Sequence, residues 1–233
     1  MSKESIIAFS QAKAEPLWLQ DLRQAAFDKI ESLALPKIER VKFHRWNLGD
    51  GTITENEPSA NVPDFTALND HLTLVQVGTQ TVLEQLPADL AEQGVIYTDL
   101  ESAMHGPYEQ MIRDHFMKLV PPKDHKFAAL HGAVWSGGSF VYVPEGVNVE
   151  IPLQSYFRLN APGARQVEHT LIIVDEGAYL HFIEGCSAPK YNVANLHAGC
   201  VELFVGKRAT IRYSTIENWS KNMYNLNTKR ARV

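Results

Sequence analysis

Along the first third of the chain, apolar positions recur at three- and four-residue steps. Behind Pro16, the residues Trp18, Leu22, Ala25, Ala26, Ile30 and Leu33 make one stripe, and a proline is tolerated in the first turn of a helix. The spacing predicts a helix that ends before Pro36, with Trp18 in a packing role. Residues 49–69 are polar and turn-rich and read as a loop. Leu72, Leu74, Val75 and Val77 predict a strand, residues 87–93 a short helix, and Val95-Ile96-Tyr97 another strand. Pro107 opens a helix carrying Met111, Ile112, His115, Phe116 and Leu119, with His115 read as a partly buried histidine. Pro121-Pro122 ends that helix, because proline lacks an amide hydrogen and disfavours helix before it. The division falls there: an N-terminal α/β region over 1–121 and a β region over 122–233.

Past that point the pattern changes from helical steps to short β-branched and aromatic runs. These are Phe140-Val141-Tyr142-Val143, Val147 to Ile151, Tyr156 to Leu159, Leu171 to Val174, Tyr179 to Ile183, Val201 to Val205 and Ile211 to Ile216. The stretch Trp135-Ser136-Gly137-Gly138-Ser139 reads as a turn into the first of them. A glycine-bearing turn precedes a strand at Gly146, Gly177 and Gly206, at intervals of 31 and 29 residues. A period of that size predicts stacked coils, in which each coil buries its inward side chains against its neighbours. Seven short strands separated by turns also fit a two-sheet sandwich, and the repeat favours the solenoid.

Composition narrows the function classes. The net charge is −5, with 22 basic and 27 acidic residues, whereas a nucleic-acid surface shows a basic excess. Two cysteines exclude a disulfide framework and fit a reducing compartment. No apolar run follows Met1-Ser2-Lys3, and no window approaches the roughly 18 apolar residues of a membrane helix. The chain reads as cytosolic.

Chemistry then concentrates on a few residues. Cys186 lies in Glu184-Gly185-Cys186-Ser187-Ala188-Pro189, a turn-like block next to a carboxylate. A cysteine there is either a sulfur-reactive group or a small buried hydrophobe. Glu184 would raise its pKa, so a cation among Lys190, His197, Arg158 and Lys229 would have to activate it. Cys200 sits in an apolar strand and reads as structural. His197 is the histidine of most interest, either a hydrogen-bonded core residue or, with Cys200, a candidate metal ligand. Two cysteines cannot supply the four thiolates of an ordinary iron–sulfur site. A metalloprotease helix, a P-loop and a nucleophile elbow are all absent from the sequence.

At these residues the chain resembles a known family. Lys126 to Leu130, Ala133 to Phe140, Tyr156 to Asn160, Thr170 to Glu176, Glu184 to Pro189, Leu196-His197-Ala198, Tyr213-Ser214-Thr215 with Asn218-Trp219, and Tyr224 to Arg230 are similar in order and register to the SufB/SufD family. These are scaffold subunits of the SUF iron–sulfur assembly system. The core is more similar to SufB and the N-terminal part to SufD, so the choice between the subunits stays open. The resemblance implies a mostly β fold: a right-handed parallel β-helix preceded by an α-rich N-terminal domain. It implies that Cys186 accepts sulfur from a cysteine desulfurase and its sulfur-transfer protein, and that Arg158, Asn160, Glu168, Trp219 and Lys229 line the sulfur route. Glu217 departs from the family's glutamine and puts a negative charge there.

The resemblance further implies a continuation beyond the position of Val233, carrying the SufC ATPase docking site, the subunit interface and a further cysteine. On that reading the chain is a fragment or closes its end by self-association, and by itself it binds neither a stable iron–sulfur cluster nor SufC. Two alternatives stand beside this non-enzymatic scaffold: a SufD-like structural partner whose cysteine is idle, and a β-helix enzyme acting on polysaccharide.

Overall fold

The structure is a computed structural model that describes residues 1–46 and 73–233. The expected loop at 49–69 and Leu72 lie outside the described residues. Helix α1 (Lys3–Ala12), which the apolar spacing did not announce, starts at a capping box in which Ser2 and Ser5 satisfy each other's backbone amides. Helix α2 (Leu17–Phe27) follows Pro16 as expected. It stops short of Pro36 because the backbone tightens into turns closed by Ile30 N to Phe27 O and Ser32 N to Lys29 O. Ile30 still joins Ile6, Ala26, Ala129 and Ala133 in one buried cluster.

The strands β1 (Thr73–Val77) and β2 (Gln80–Glu84) form an antiparallel hairpin. Helix α3 (Ala88–Glu92), strand β3 (Ile96–Asp99), and helices α4 (Leu100–Met104) and α5 (Glu109–His115) follow. α5 is shorter than the apolar pattern predicted and leaves Phe116 and Leu119 beyond its end. His115 accepts the structural role expected of it: its Nδ1 lies 2.8 Å from Met111 O and its ring stands edge-on to Phe204.

Helix α6 (Lys126–Val134) was not foreseen. Its residues Ala128, Ala129, His131, Gly132 and Ala133 are all buried, so no apolar stripe marks it. It lies tight against its neighbours: a Cβ on Gly132 would stand 2.8 Å from the Pro122 ring and 3.0 Å from Ala26.

After α6 the chain winds into a solenoid of about three turns. Strands β4 (Ser139–Val143), β7 (His169–Val174), β10 (Cys200–Val205) and β13 (Thr228–Arg232) stack in parallel as one face. A second face stacks β5 (Asn148–Arg158), β8 (Tyr179–Ser187) and β11 (Thr210–Asn218). The third stacks β6 (Arg165–Gln166), β9 (Asn195–His197) and β12 (Met223–Asn225). All pairs within the coils are parallel, which decides for the β-helix over the sandwich. The N-terminal strands join the same sheets: β1 runs parallel to β5, and β3 runs antiparallel to β4. Alternate residues point inward, so Val141, Val143, Phe157, Ile172, Val174, Leu180, Phe182, Val201 and Leu203 fill the interior.

The glycine repeat has a physical basis at two of its three positions. Gly146 and Gly177 occupy the same corner of successive coils with φ of +72° and +69°. In the next coil Val205 pairs with Val174 and Thr210 with Tyr179, so the residue at that corner is Arg208, not Gly206. Arg208 holds φ of +58°, a left-handed conformation that costs a side-chain-bearing residue about 1–2 kcal/mol. Its ion pair with Glu176 is exposed and offsets little of that. Arg208→Gly is therefore expected to raise stability by about 0.5–1 kcal/mol, seen as a higher melting temperature; a lower one would contradict this assignment of the corner.

Candidate functional site

Cys186 is placed by strand alternation rather than by a turn. It is the second-last residue of β8, and it points inward with Leu180, Phe182 and Glu184 on a strand where buried positions alternate. In the stacked register it stands between Phe157 on one coil and Glu217 on the next. Its thiol is 2 % exposed. Burial, followed by the charges of Glu168 and Glu184, pushes its pKa far up, while Lys229 opposes them. In this state Cys186 is a protonated thiol.

Two polar groups flank it inside the coil. In the first, Glu168 Oε1 pairs with His197 Nε2, and His197 Nδ1 lies 2.7 Å from Asn225 Oδ1. Burial works against a charged imidazole here, but the Glu168 carboxylate and the hydrogen bonds to Glu168 and Asn225 outweigh it and raise the His197 pKa. The ring of Trp219 lies tilted against that of His197, with centroids 4.6 Å apart. Glu168 Oε2 and both amide atoms of Gln166 are buried without a hydrogen-bond partner among the described residues.

The second group centres on Glu184. It accepts from Thr170 Oγ1 at 2.8 Å and from the Tyr213 hydroxyl at 2.7 Å, and Lys229 Nζ stands 3.6 Å away. Burial raises the Glu184 pKa, and Lys229 and Tyr213 pull it back. Lys229 is inward-facing because β13 continues the register Thr170, Val201, Lys229. One donor atom each from Glu168, Cys186 and His197 lies within 4.8 Å of the others, a spacing that could hold a metal ion.

The sequence-based candidates thus separate. Glu168, Trp219, Lys229 and His197 converge with Cys186. Asn160 is buried at the bend between β5 and β6. Arg158 lies on the outward side of β5, where its Nη1 donates to Ser187 Oγ at 3.3 Å. Lys190 is exposed. Cys200 faces away from Cys186 and packs against Val120 and Ala128 beneath α6. Glu217 occupies the inward register next to Cys186, and its carboxylate accepts from Asn225, Asn227 and Trp219. Thr170 and Tyr213 escaped the sequence reading as partners of Glu184. The coil period was the available signal, since it places Thr215 and Glu184 at equivalent positions with Tyr213 one inward step away.

Comparison with known proteins covers nearly the whole chain. Residues 9–155 match the family model described as SufBD protein N-terminal region. Residues 157–233 match the model described as SUF system FeS cluster assembly, SufBD core domain. The chain is similar to the iron–sulfur cluster assembly protein SufB of Bacillus subtilis, at 38% identity over 249 residues, covering 99% of this chain and 53% of that protein. It is 41% identical over 218 residues to an iron–sulfur cluster assembly SufBD family protein of Staphylococcus aureus, covering 94% of this chain and 46% of that protein. A SufBD family protein of Staphylococcus epidermidis is 36% identical over 251 residues, covering 100% and 54%. The chain therefore spans about half the length of the curated relatives it matches. No helix among the described residues is long and apolar enough to cross a membrane.

Proposed function

Since the chain belongs to the SufB/SufD family of SUF iron–sulfur cluster assembly proteins, we propose that it is a non-enzymatic scaffold component that takes up sulfur on Cys186. The observation that carries this reading is the convergence of one inward thiol with paired acid–base groups inside a closed coil. The chemistry is a thiol exchange. Cys186 loses its proton to the Glu168 carboxylate, whose Oε2 has no hydrogen-bond partner among the described residues. The thiolate then attacks the outer sulfur of a donor persulfide; the donor's S–S bond breaks and the donor leaves as a thiol after taking up a proton. The product persulfide on Cys186 is an anion in a low-dielectric interior. The cation on Lys229 and the N–H of the His197 imidazole would hold it there.

The donor on this reading is a cysteine desulfurase acting through a sulfur-transfer protein, and iron and sulfide are cargo. Other SUF subunits, including the SufC ATPase and the complementary SufB or SufD subunit, would be its partners. Any cluster would be transient and completed by ligands from outside this chain, since two cysteines in separate clusters cannot enclose one. Family membership supports the scaffold reading over the polysaccharide-acting alternative. The burial of Cys186 favours one competing reading, a structural SufD-like partner whose thiol is idle.

Mass spectrometry after incubation with a desulfurase, cysteine and a sulfur-transfer protein decides between them. Added sulfur is expected on the Cys186 peptide, with its loss in Cys186→Ser and at least tenfold slower loading in Glu168→Gln. Loading that persists in Cys186→Ser and disappears in Cys200→Ser would reverse the assignment. Absence of loading in the parent chain would establish the idle-cysteine reading instead.

A further inference from the structure

His131, His169 and Cys200 form a second group, on the outer side of the β4–β7–β10–β13 face beneath α6. One nitrogen of each imidazole and Cys200 Sγ lie within 4.8 Å of one another, and all three side chains are buried. Cys200 and His169 are register partners on adjacent coils. This group lies outside the Cys186 site and plays no part in the sulfur chemistry above.

The outer edge of each imidazole is already fixed. His131 Nδ1 lies 3.0 Å from Ala198 O, and His169 Nε2 lies 3.0 Å from Glu202 Oε2. Glu202 is itself anchored, accepting from the backbone amides of Met117, Leu119 and Val120 at 2.6 to 2.8 Å. That leaves His131 Nε2 and His169 Nδ1 facing each other at 3.1 Å.

Two features of this arrangement belong to metal sites. Imidazole ligands donate their second N–H to a carbonyl or carboxylate, which fixes the tautomer and the ring orientation. Both rings have such a partner. Metal–nitrogen bonds of about 2.0–2.1 Å at a tetrahedral centre also place two ring nitrogens about 3.3 Å apart, close to the separation present. A thiolate at about 2.3 Å would bring Cys200 Sγ to roughly 3.6 Å from each nitrogen, a contraction of about an ångström at most from its present place. A small pocket of about 10 Å³ touches both His131 and Cys200 between Val120 and Thr228. That is close to the room one water needs.

We infer that His131, His169 and Cys200 bind one tetrahedral divalent metal ion of the zinc class, with a water in the fourth position. Each imidazole binds in the tautomer whose N–H faces its fixed partner, and metal entry displaces the Cys200 thiol proton, so one proton leaves for each ion bound and no electron is transferred.

The test uses the chain stripped with a chelator and titrated with Co²⁺, then Zn²⁺. About one equivalent of Co²⁺ is expected, with the visible bands of a tetrahedral ion and a thiolate-to-cobalt charge-transfer band, both removed by Zn²⁺. Cys200→Ser should abolish the charge-transfer band and weaken binding at least tenfold, and Cys186→Ser should change neither. Should Cys200→Ser misfold, zinc protection of Cys200 from alkylation in the parent chain gives the same answer. A charge-transfer band that follows Cys186, or Co²⁺ uptake indifferent to Cys200, overturns the inference, as does a chain that takes up no Co²⁺.

Discussion

Arg23→Met is expected to destabilise the chain by about 3–5 kcal/mol, with a comparable loss for Glu15→Met. Arg23 is fully buried and its counter-charge among the described residues is Glu15, which is 6% exposed. The guanidinium also donates to Ala133 O and Trp135 O at the end of α6, and it lies over the rings of Phe9 and Trp135. Ser10 Oγ completes the shell of Glu15 at 2.6 Å. Removing either partner strands the other charge in the interior, which is the costly event. Replacing both with Met removes the charges together, so the double variant should recover a substantial part of the loss. Urea unfolding of the four chains measures this. A single variant within 1 kcal/mol of the parent, or a double variant as poor as the sum of the singles, would mean the pair is not isolated from water.

Gly138→Ala is the second large effect, at about 3–6 kcal/mol. Gly138 has φ of +121°, and a Cβ there would stand 2.0 Å from His169 O and under 3 Å from His169 C and N. These are backbone atoms that no rotamer can move. Strain in that region of φ costs about 1–3 kcal/mol, and forcing the chains apart adds a further amount of similar size. The contact joins the entry of β4 to the start of β7, where His169 N donates to Gly137 O and Leu100 N to Gly138 O. Gly146→Ala is the control. It also has positive φ, but nothing lies within 4 Å of its added Cβ, so it should lose only about 1 kcal/mol. Equal melting temperatures for the two variants would refute the steric account.

The stacked strands were legible in the sequence because parallel coils bury both sides of some strands and one side of others, which leaves short β-branched runs at a fixed spacing. Helix α6 was not legible. Its alanines and Gly132 are buried against α2 on one side and the coil on the other, so no polar stripe alternates with an apolar one. Glycine and proline around Cys186 suggested a turn, yet the alternation that begins at Leu180 carries through Gly185 to Ser187. The sequence singled out Cys186 by its place beside Glu184 and offered Lys229 as one of four cations, whereas Glu168 entered only through family resemblance. Their meeting depends on side chains one coil apart, and local spacing does not report that. The His131–His169–Glu202 chain was hidden for the same reason, its successive members standing 38 and 33 positions apart in the sequence.

The pairing of β1 with β5 also sets an order of events during synthesis. Val75 finds its parallel partner at Tyr156. The hairpin of β1 and β2 is therefore complete in sequence well before the strand that receives it has been made. At ~5–20 residues per second this gap lasts roughly 4–16 s. Through that interval Leu74, Val75 and Val77, which are fully buried in the finished fold, have no coil to cover them. The nascent N-terminal segment thus depends on whatever shields an apolar strand edge until the first coil closes over it.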